Sequence, residues 1–374
     1  GLAVTLTRAD VGELSRASQM LLQSLEPHRR EFVRPDGREL SHVLRVRLGE
    51  CAGCSGRIHL FPEMMVSLSS RSLAQTQAFY GCAVCGSVSR RRAGVRTFRC
   101  DACDASHSVS DWLNRCPHCR DPLLLKPLVH GDASWRAVLV QEVVLVSGRS
   151  HAQLRPVERH DPVDAKPGTG SHAALSAPIG PGKETRRLID AGYECWGDLY
   201  THRQVDFIVD ALSRVGTLPF GRAIRDRLAY AVLGLAEMPA FLSRWDRFHL
   251  KPFEGIANHR YADTTLAVES NPLAPCGRGT LPRRLAASRR ALQWLTEQCE
   301  ALPAVRRLSG QTLKRQAVSQ GVVVATGSSA RQALPDGSIQ LALTDPPYFD
   351  DVQYGELARL FHAWLSVYMP VSAI

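Results

Sequence analysis

Residues 341–365 read LALTDPPYFDDVQYGELARLFHAWL. An apolar run stops at Asp345, Pro346, Pro347 and Tyr348, then gives way to an amphipathic pattern. Acid and proline are poor strand formers, so a buried strand ending this way serves more than the sheet. Proline rings fix φ and remove backbone donors, which leaves a rigid loop whose carbonyls accept from a ligand. The Asp345 carboxylate supplies a second acceptor, and Tyr348 offers a face for a flat ring. A planar amine fits that arrangement, and a flipped-out adenine is such a group. Two acceptors on one exocyclic amine draw density onto its nitrogen and aim the lone pair at a methyl donor. The plainer alternative is a proline-rich turn after a strand.

Upstream, GVVVAT (321–326) is a β-branched run ended by Gly327, LPDGS (334–338) is a turn, and IQLALT (339–344) predicts a second buried strand. Open parallel sheets place ligand crevices at the carboxyl ends of such strands. Residues 3–25 carry helical spacing. So do residues 201–215, opening on Thr201 as an N-cap, and residues 220–238. Residues 279–302 predict a basic helix with Thr280 as its cap and Arg283, Arg284, Arg289 and Arg290 on it. A solvated charged face is the common reading of such a helix, and a nucleic-acid contact the sharper one. Residues 151–200 are dense in Pro, Gly, Ser and His and predict a linker. Within them APIGPGKET evokes a phosphate-binding loop but fails it, since Ala177 holds the first glycine position and Glu184 follows Lys183.

The chain has 374 residues, 44% of them hydrophobic, enough for two or three cores. Its net charge of +10 favours an anionic partner such as nucleic acid. No run of 18 apolar residues predicts a membrane span. No signal peptide is visible, and a start at Gly1 suggests a piece of a longer polypeptide.

Eight of eleven cysteines form four Cys-x-x-Cys pairs: Cys51/Cys54, Cys82/Cys85, Cys100/Cys103 and Cys116/Cys119. Such a knuckle turns two sulfurs toward one ion, and two knuckles complete a tetrahedral zinc site. The four predict two zinc ions and a reducing, cytoplasmic setting; redox dithiols or disulfides are the alternative. Twelve residues separate Cys103 from Cys116, a compact ribbon that favours sequential pairing, with Cys51/Cys54 joined to Cys82/Cys85. Nested pairing is the alternative, because Cys85 and Cys100 bracket a hairpin-like stretch. His107 and His118 are expected to be bystanders, and Cys195, Cys276 and Cys299 small buried apolar groups. The arginines of SRRRAGVR (89–96) either grip phosphates or solvate a hairpin tip.

TDPPYFDDVQYGELARLFHAWL resembles motif IV and the following helix of amino-methylating DNA methyltransferases, and more narrowly the adenine-specific DNA methylases that contain a zinc ribbon. The likeness extends through ATGSSARQALPDGSIQLALTDPPY, IGPGKETRRLIDAGYECWGDLYTHRQ, VESNPLAPCGRGTLPRR and the tandem knuckles. It implies an α/β, Rossmann-like methyltransferase core, incomplete here, with a zinc-ribbon insertion and a helical segment. The expected divisions are 1–40 (core helix), 41–150 (ribbons), 151–200 (linker), 201–310 (mainly helical) and 311–374 (core strands with the motif). It also implies S-adenosyl-L-methionine-dependent methylation of adenine N6 in DNA. Asp345 and the Pro346 carbonyl would hold the amine, Pro347 would shape the loop and Tyr348 would stack. Asp350, Asp351, Tyr354 and Glu356 would line the pocket.

One departure from that family stands out. The Gly-rich cofactor loop and the acidic ribose-binding strand end have no counterpart, since KPGTGSHA lies in the linker with no strand before it. The expectation is a chain that begins after its cofactor motifs and works with a missing N-terminal segment or a partner subunit. Two other functions stay open: a noncatalytic zinc-ribbon nucleic-acid-binding protein, and a methyltransferase acting on another planar amine such as cytosine N4 or RNA adenine.

Overall fold

The computed structural model describes residues 9–71, 77–126, 135–164, 166–168, 170, 172–261, 263–298, 305–309, 322–326, 330, 334–344 and 352–369. It mixes helices with mainly antiparallel strands. The main sheet contains β1 (Leu40–Glu50), β8 (Trp135–Val146), β9 (Arg149–Pro156) and β12 (Leu266–Ser270), in the order β12-β1-β8-β9. Every pairing in it is antiparallel. The β8–β9 hairpin turns on Ser147 and Gly148, both at positive φ, as a two-residue turn that follows strand twist requires. β2 (Arg57–His59) adds to the far end of β1.

Between β1 and β8 the chain builds short strands around the cysteines. β3 (Met65–Leu68), β4 (Gln77–Gly81) and β5 (Val88–Arg92) form one small sheet, and β6 (Thr97–Arg99) with β7 (Ser106–Ser108) another. The ribbons expected at 41–150 thus leave and rejoin the main sheet through neighbouring strands. Two-residue strands β10 (Trp245–Asp246) and β11 (Lys251–Pro252) complete this half.

The helices form the largest core. α1 (Val11–Leu25) buries Leu14, Ala17, Leu21 and Leu25, one stripe at helical spacing, and Asp10 caps it by accepting from the Glu13 N–H at 2.6 Å. α3 (His202–Thr217) starts at Thr201, the N-cap that the sequence predicts, and the structure adds a capping box with Gln204. α4 (Arg222–Leu233), α5 (Leu281–Gln298) and α6 (Tyr354–Tyr368) pack beside them through Leu228, Leu285, Leu360 and Trp364. The stretch read as a linker belongs to the same core. Leu175, Ile179, Leu188, Tyr193 and Trp196 are buried there, and a short helix, α2 (Thr185–Asp190), lies in its middle. Its prolines and glycines make the path irregular without freeing it, because its apolar side chains dock.

Sheet and helices meet at one buried carboxylate. Glu269 on β12 accepts from Arg203 Nε at 2.7 Å and Nη2 at 2.5 Å, and from Thr201 Oγ1 at 2.5 Å. Arg45 on the adjacent β1 lies 2.8 Å from it. Arg203 also donates to the carbonyls of Glu31 and Pro162 and stacks over Phe32. Burial alone would push the Glu269 carboxyl up, but Arg203 and Arg45 outweigh it and bring it down to about 2.

One expected strand is corrected. Residues 322–326 do form a strand, β14 (Val322–Thr326), paired parallel with β13 (Val305–Ser309). Residues 339–344 do not: they are irregular and exposed, with Leu341 at 72% and Leu343 at 85%. Among the described residues no ladder hydrogen bond reaches them, and an apolar run without a neighbouring strand has nothing to pair its backbone.

Replacing Glu269 with Gln leaves two buried guanidiniums without their counter-charge. The expected cost is about 3–5 kcal/mol in urea unfolding, and a loss below about 1 kcal/mol would show that the triad carries little. Because the folded carboxyl sits below its ordinary 4.5, its contribution is complete above that pH and is lost as pH falls toward 2. The Gln variant should lose that part of the acid dependence.

Candidate functional site: two four-cysteine centres and an anchored helix

Four knuckles fold alike. In each, the first cysteine's carbonyl accepts from the N–H four residues on, and its own N–H donates five residues on: Cys51 with Ser55 and Gly56, Cys82 with Gly86 and Ser87, Cys100 with Asp104 and Ala105, Cys116 with Arg120 and Asp121. The fourth residue after that cysteine has positive φ every time, at Ser55, Gly86, Asp104 and Arg120. Only Gly86 satisfies this with glycine, so the repeat is hidden in the sequence. The tight turn aims backbone donors at sulfur, with the N–H groups of Cys85, Ala102 and His118 pointing at Cys82, Cys100 and Cys116.

The knuckles pair as Cys51, Cys54, Cys116 and Cys119 in one centre and Cys82, Cys85, Cys100 and Cys103 in the other. This nested arrangement corrects the sequential pairing. The cause is strand pairing: β4 and β5 lead into and out of Cys82/Cys85 beside the β6–β7 hairpin that carries Cys100/Cys103. Cys51, just after β1, instead meets the returning chain through a bridge to Leu125. Proximity along the chain loses to adjacency in space.

Sulfur–sulfur separations are 4.0 and 3.7 Å in the first centre and 3.6 Å twice in the second. A disulfide requires about 2.05 Å. A tetrahedron of sulfurs with metal bonds of about 2.3 Å has edges of about 3.8 Å. Each centre therefore has the donor set and the spacing for one tetrahedral metal ion. Burial pushes the Cys100 thiol up, yet Ser87 Oγ and the N–H groups of Ala102 and Cys103 bring it down to about 6. Burial likewise raises the Cys116 thiol, and the N–H groups of Cys119 and His118 lower it to about 6. Each centre thus holds one cysteine poised as thiolate near neutral pH.

Neither histidine belongs to a four-cysteine cluster: His107 Nε2 lies 3.1 Å from Cys82 Sγ, and His118 Nε2 lies 2.8 Å from the Arg57 carbonyl. Of the arginines in 89–96, Arg91 is held by Asp101 and the Arg99 carbonyl, while Arg90, Arg92 and Arg96 are exposed. Cys195 is buried, Cys276 half-buried, and Cys299 lies outside the described residues.

Asp345, Pro346, Pro347, Tyr348, Asp350 and Asp351 also lie outside the described residues. The helix that follows them is described in full. Tyr354, at its start, is exposed. Glu356 is engaged within the fold. Its carboxylate is held by the N–H groups of Lys183 (2.9 Å), Glu184 (2.9 Å) and Thr185 (3.0 Å), with Thr185 Oγ1 at 3.3 Å. The Glu356 carbonyl accepts from Tyr261 Oη at 3.1 Å, and Tyr368 Oη donates to Asp226 at 3.0 Å at the other end. Burial raises the Glu356 carboxyl, but the three N–H groups outweigh it and lower it overall. The GPGKET turn that fails as a triphosphate loop thus grips an internal anion. A side chain at Gly182 would collide with that carboxylate.

Comparison of the chain with protein-family models, with curated proteins and with solved structures finds no match. The class that fold and site define is a mixed α and β protein with two nested four-cysteine metal-binding centres.

Two predictions follow from this geometry. Native mass spectrometry should find one metal ion left in the Cys82→Ser/Cys100→Ser variant and none in Cys100→Ser/Cys116→Ser; sequential pairing would give the reverse. Glu356→Gln should weaken the anchor of α6 by about 1–2 kcal/mol, the worth of charge-assisted hydrogen bonds. Hydrogen exchange checks this as a roughly tenfold loss of protection across α6, and unchanged protection would refute the anchor.

Proposed function

We propose that this chain is part of an S-adenosyl-L-methionine-dependent DNA methyltransferase that acts on adenine N6, with a zinc ion in each four-cysteine centre. The observation that carries the reading is the Asp345-Pro346-Pro347-Tyr348 tetrapeptide, five residues of sequence ahead of a helix fixed at its first turn. An amine-holding loop must be rigid relative to its surroundings, and the three backbone donors on Glu356 fasten the segment that leaves it. The parallel pairing of β13 and β14 lies just upstream and supports a Rossmann-like core, because parallel strands are the mark of doubly wound sheets.

In this reading Asp345 and the Pro346 carbonyl accept from the amine, and Tyr348 stacks on the flipped base. The cofactor supplies an electrophilic methyl group, and transfer by direct displacement needs no cysteine nucleophile. Zinc suits the centres because four thiolates in a tetrahedron are its usual structural set, and reduced thiols fit a cytoplasmic setting. Among the described residues no helix is long and apolar enough to cross a membrane. The intact pair of metal centres also favours a second reading, a noncatalytic nucleic-acid-binding protein.

The two are separated by Asp345→Ala. It should abolish methyl transfer, by at least about a thousandfold, while DNA affinity changes less than about twofold. Transfer that survives the substitution would remove Asp345 from the site. Calorimetry on the metal-loaded chain then asks whether S-adenosyl-L-methionine binds to this chain by itself.

A further inference from the structure

The nested pairing sets the two metal centres side by side and leaves a cleft of about 640 Å3 between them. Its walls come from both. Knuckle residues Ala83 and Val84 and the β6–β7 hairpin form one side, and the segment from Asp111 to the knuckle residues Pro117 and Arg120 forms the other. Phe98, His107 and Trp112 follow one another along it, with ring centroids 5.0 and 5.6 Å apart. Trp112 is half-buried, packs against the apolar clusters of both centres, and is pinned by its indole N–H on the Phe61 carbonyl at 3.2 Å. Arg99, Arg115 and Arg120 stand exposed at the rim, with Asp111 the one acid among the lining residues and Asp104 beside Arg99.

We infer that this cleft binds a single-stranded segment of nucleic acid, with a base against Trp112 and backbone phosphates on Arg99, Arg115 and Arg120. The inference rests on the nucleic-acid substrate proposed above and gives it a place. An aromatic floor with a basic rim is the combination that holds unpaired strands, since every base has a π-face and every nucleotide a charge. A base inside a duplex cannot present its face to a protein ring. Four thiolates on a divalent ion leave a formal charge of about −2 at each centre, so a polyanion is drawn to the arginine rim rather than to the metals. Arg99 leans on Asp104 at 3.2 Å, and Arg115 donates to the Arg120 carbonyl at 3.1 Å. These contacts hold the rim in place and leave N–H donors over. The arginines of 89–96, singled out by the sequence, do not line this cleft.

The test is fluorescence anisotropy with a labelled oligothymidylate of about twenty nucleotides, a duplex of the same length and a polyglutamate competitor. The metal-loaded full chain is compared with Arg99→Gln/Arg115→Gln/Arg120→Asn, where Asn is used because position 120 has positive φ. The variant should keep two metal ions by native mass spectrometry, bind the single strand at least tenfold more weakly, and show a salt dependence shallower by about two. Arg90→Gln/Arg92→Gln should stay within about twofold of the parent. Equal binding by parent and triple variant overturns the cleft and leaves the proposed function standing. Preference for the duplex, or displacement by polyglutamate at equal charge, also overturns it. Absence of oligonucleotide binding by the parent chain removes nucleic acid as partner, and the proposed function falls with the cleft.

Discussion

A fully buried carboxylate between two arginines is the constraint on which this architecture turns. Glu269 sits on the edge strand β12, Arg45 on its neighbour β1, and Arg203 in the first turn of α3. Taking three charges out of water costs several kcal/mol each unless they satisfy one another. They can do so only when the sheet, the helix and the Glu31 and Pro162 carbonyls are all in register. The cluster therefore selects one docking of sheet on helices out of the many that apolar contact alone would tolerate. That docking gives α6 its seat, since Trp364 packs edge-on against Tyr200, next to Thr201, which bonds Glu269.

The metal centres and the anchored helix both connect to this junction. β1 carries Arg45 and runs directly into Cys51, six residues on, so the outer four-cysteine centre is covalently continuous with the buried cluster. The inner centre's strands lie within the loop that Cys51/Cys54 and Cys116/Cys119 close, and β3 and β4 also dock on the main sheet through Val66 and Phe79. On the other side, Glu356 repeats the same physics at the surface of the core. A carboxylate from one segment satisfies backbone donors of another, and tertiary order replaces local order where glycine and proline prevent it. Two anions, one per half, hold what apolar packing alone would leave loose.

Much of this was legible from spacing. Apolar periodicity found α1 and α3, the Thr201 N-cap lies in plain view, and four Cys-x-x-Cys pairs announce two tetrahedral centres. The pairing was not legible, because sequence distance ranks Cys103 with Cys116 whereas the β4–β5 and β6–β7 hairpins decide the matter in space. The strand read at 339–344 fails for a related reason: alternation shows which face is apolar, not whether a partner strand is there. Glycine and proline content made residues 151–200 look like a linker, although Tyr193 and Trp196 were signs that the stretch docks. The role of Glu356 had no local signal at all, since its partners lie some 170 residues earlier. The motif residues Asp345 to Tyr348 keep the chemical reading that the sequence alone supports.

The central claim is the proposed chemistry, in which an amine held by Asp345 and Pro346 would receive a methyl group. The most direct measurement is to incubate the metal-loaded chain, together with a segment or subunit that supplies S-adenosyl-L-methionine binding, with DNA and cofactor carrying a deuterated methyl group, digest the DNA, and weigh the nucleosides. The account predicts N6-methyladenine three mass units heavier than the natural form and no label on other bases. Label on cytosine, or in no nucleoside, would contradict it.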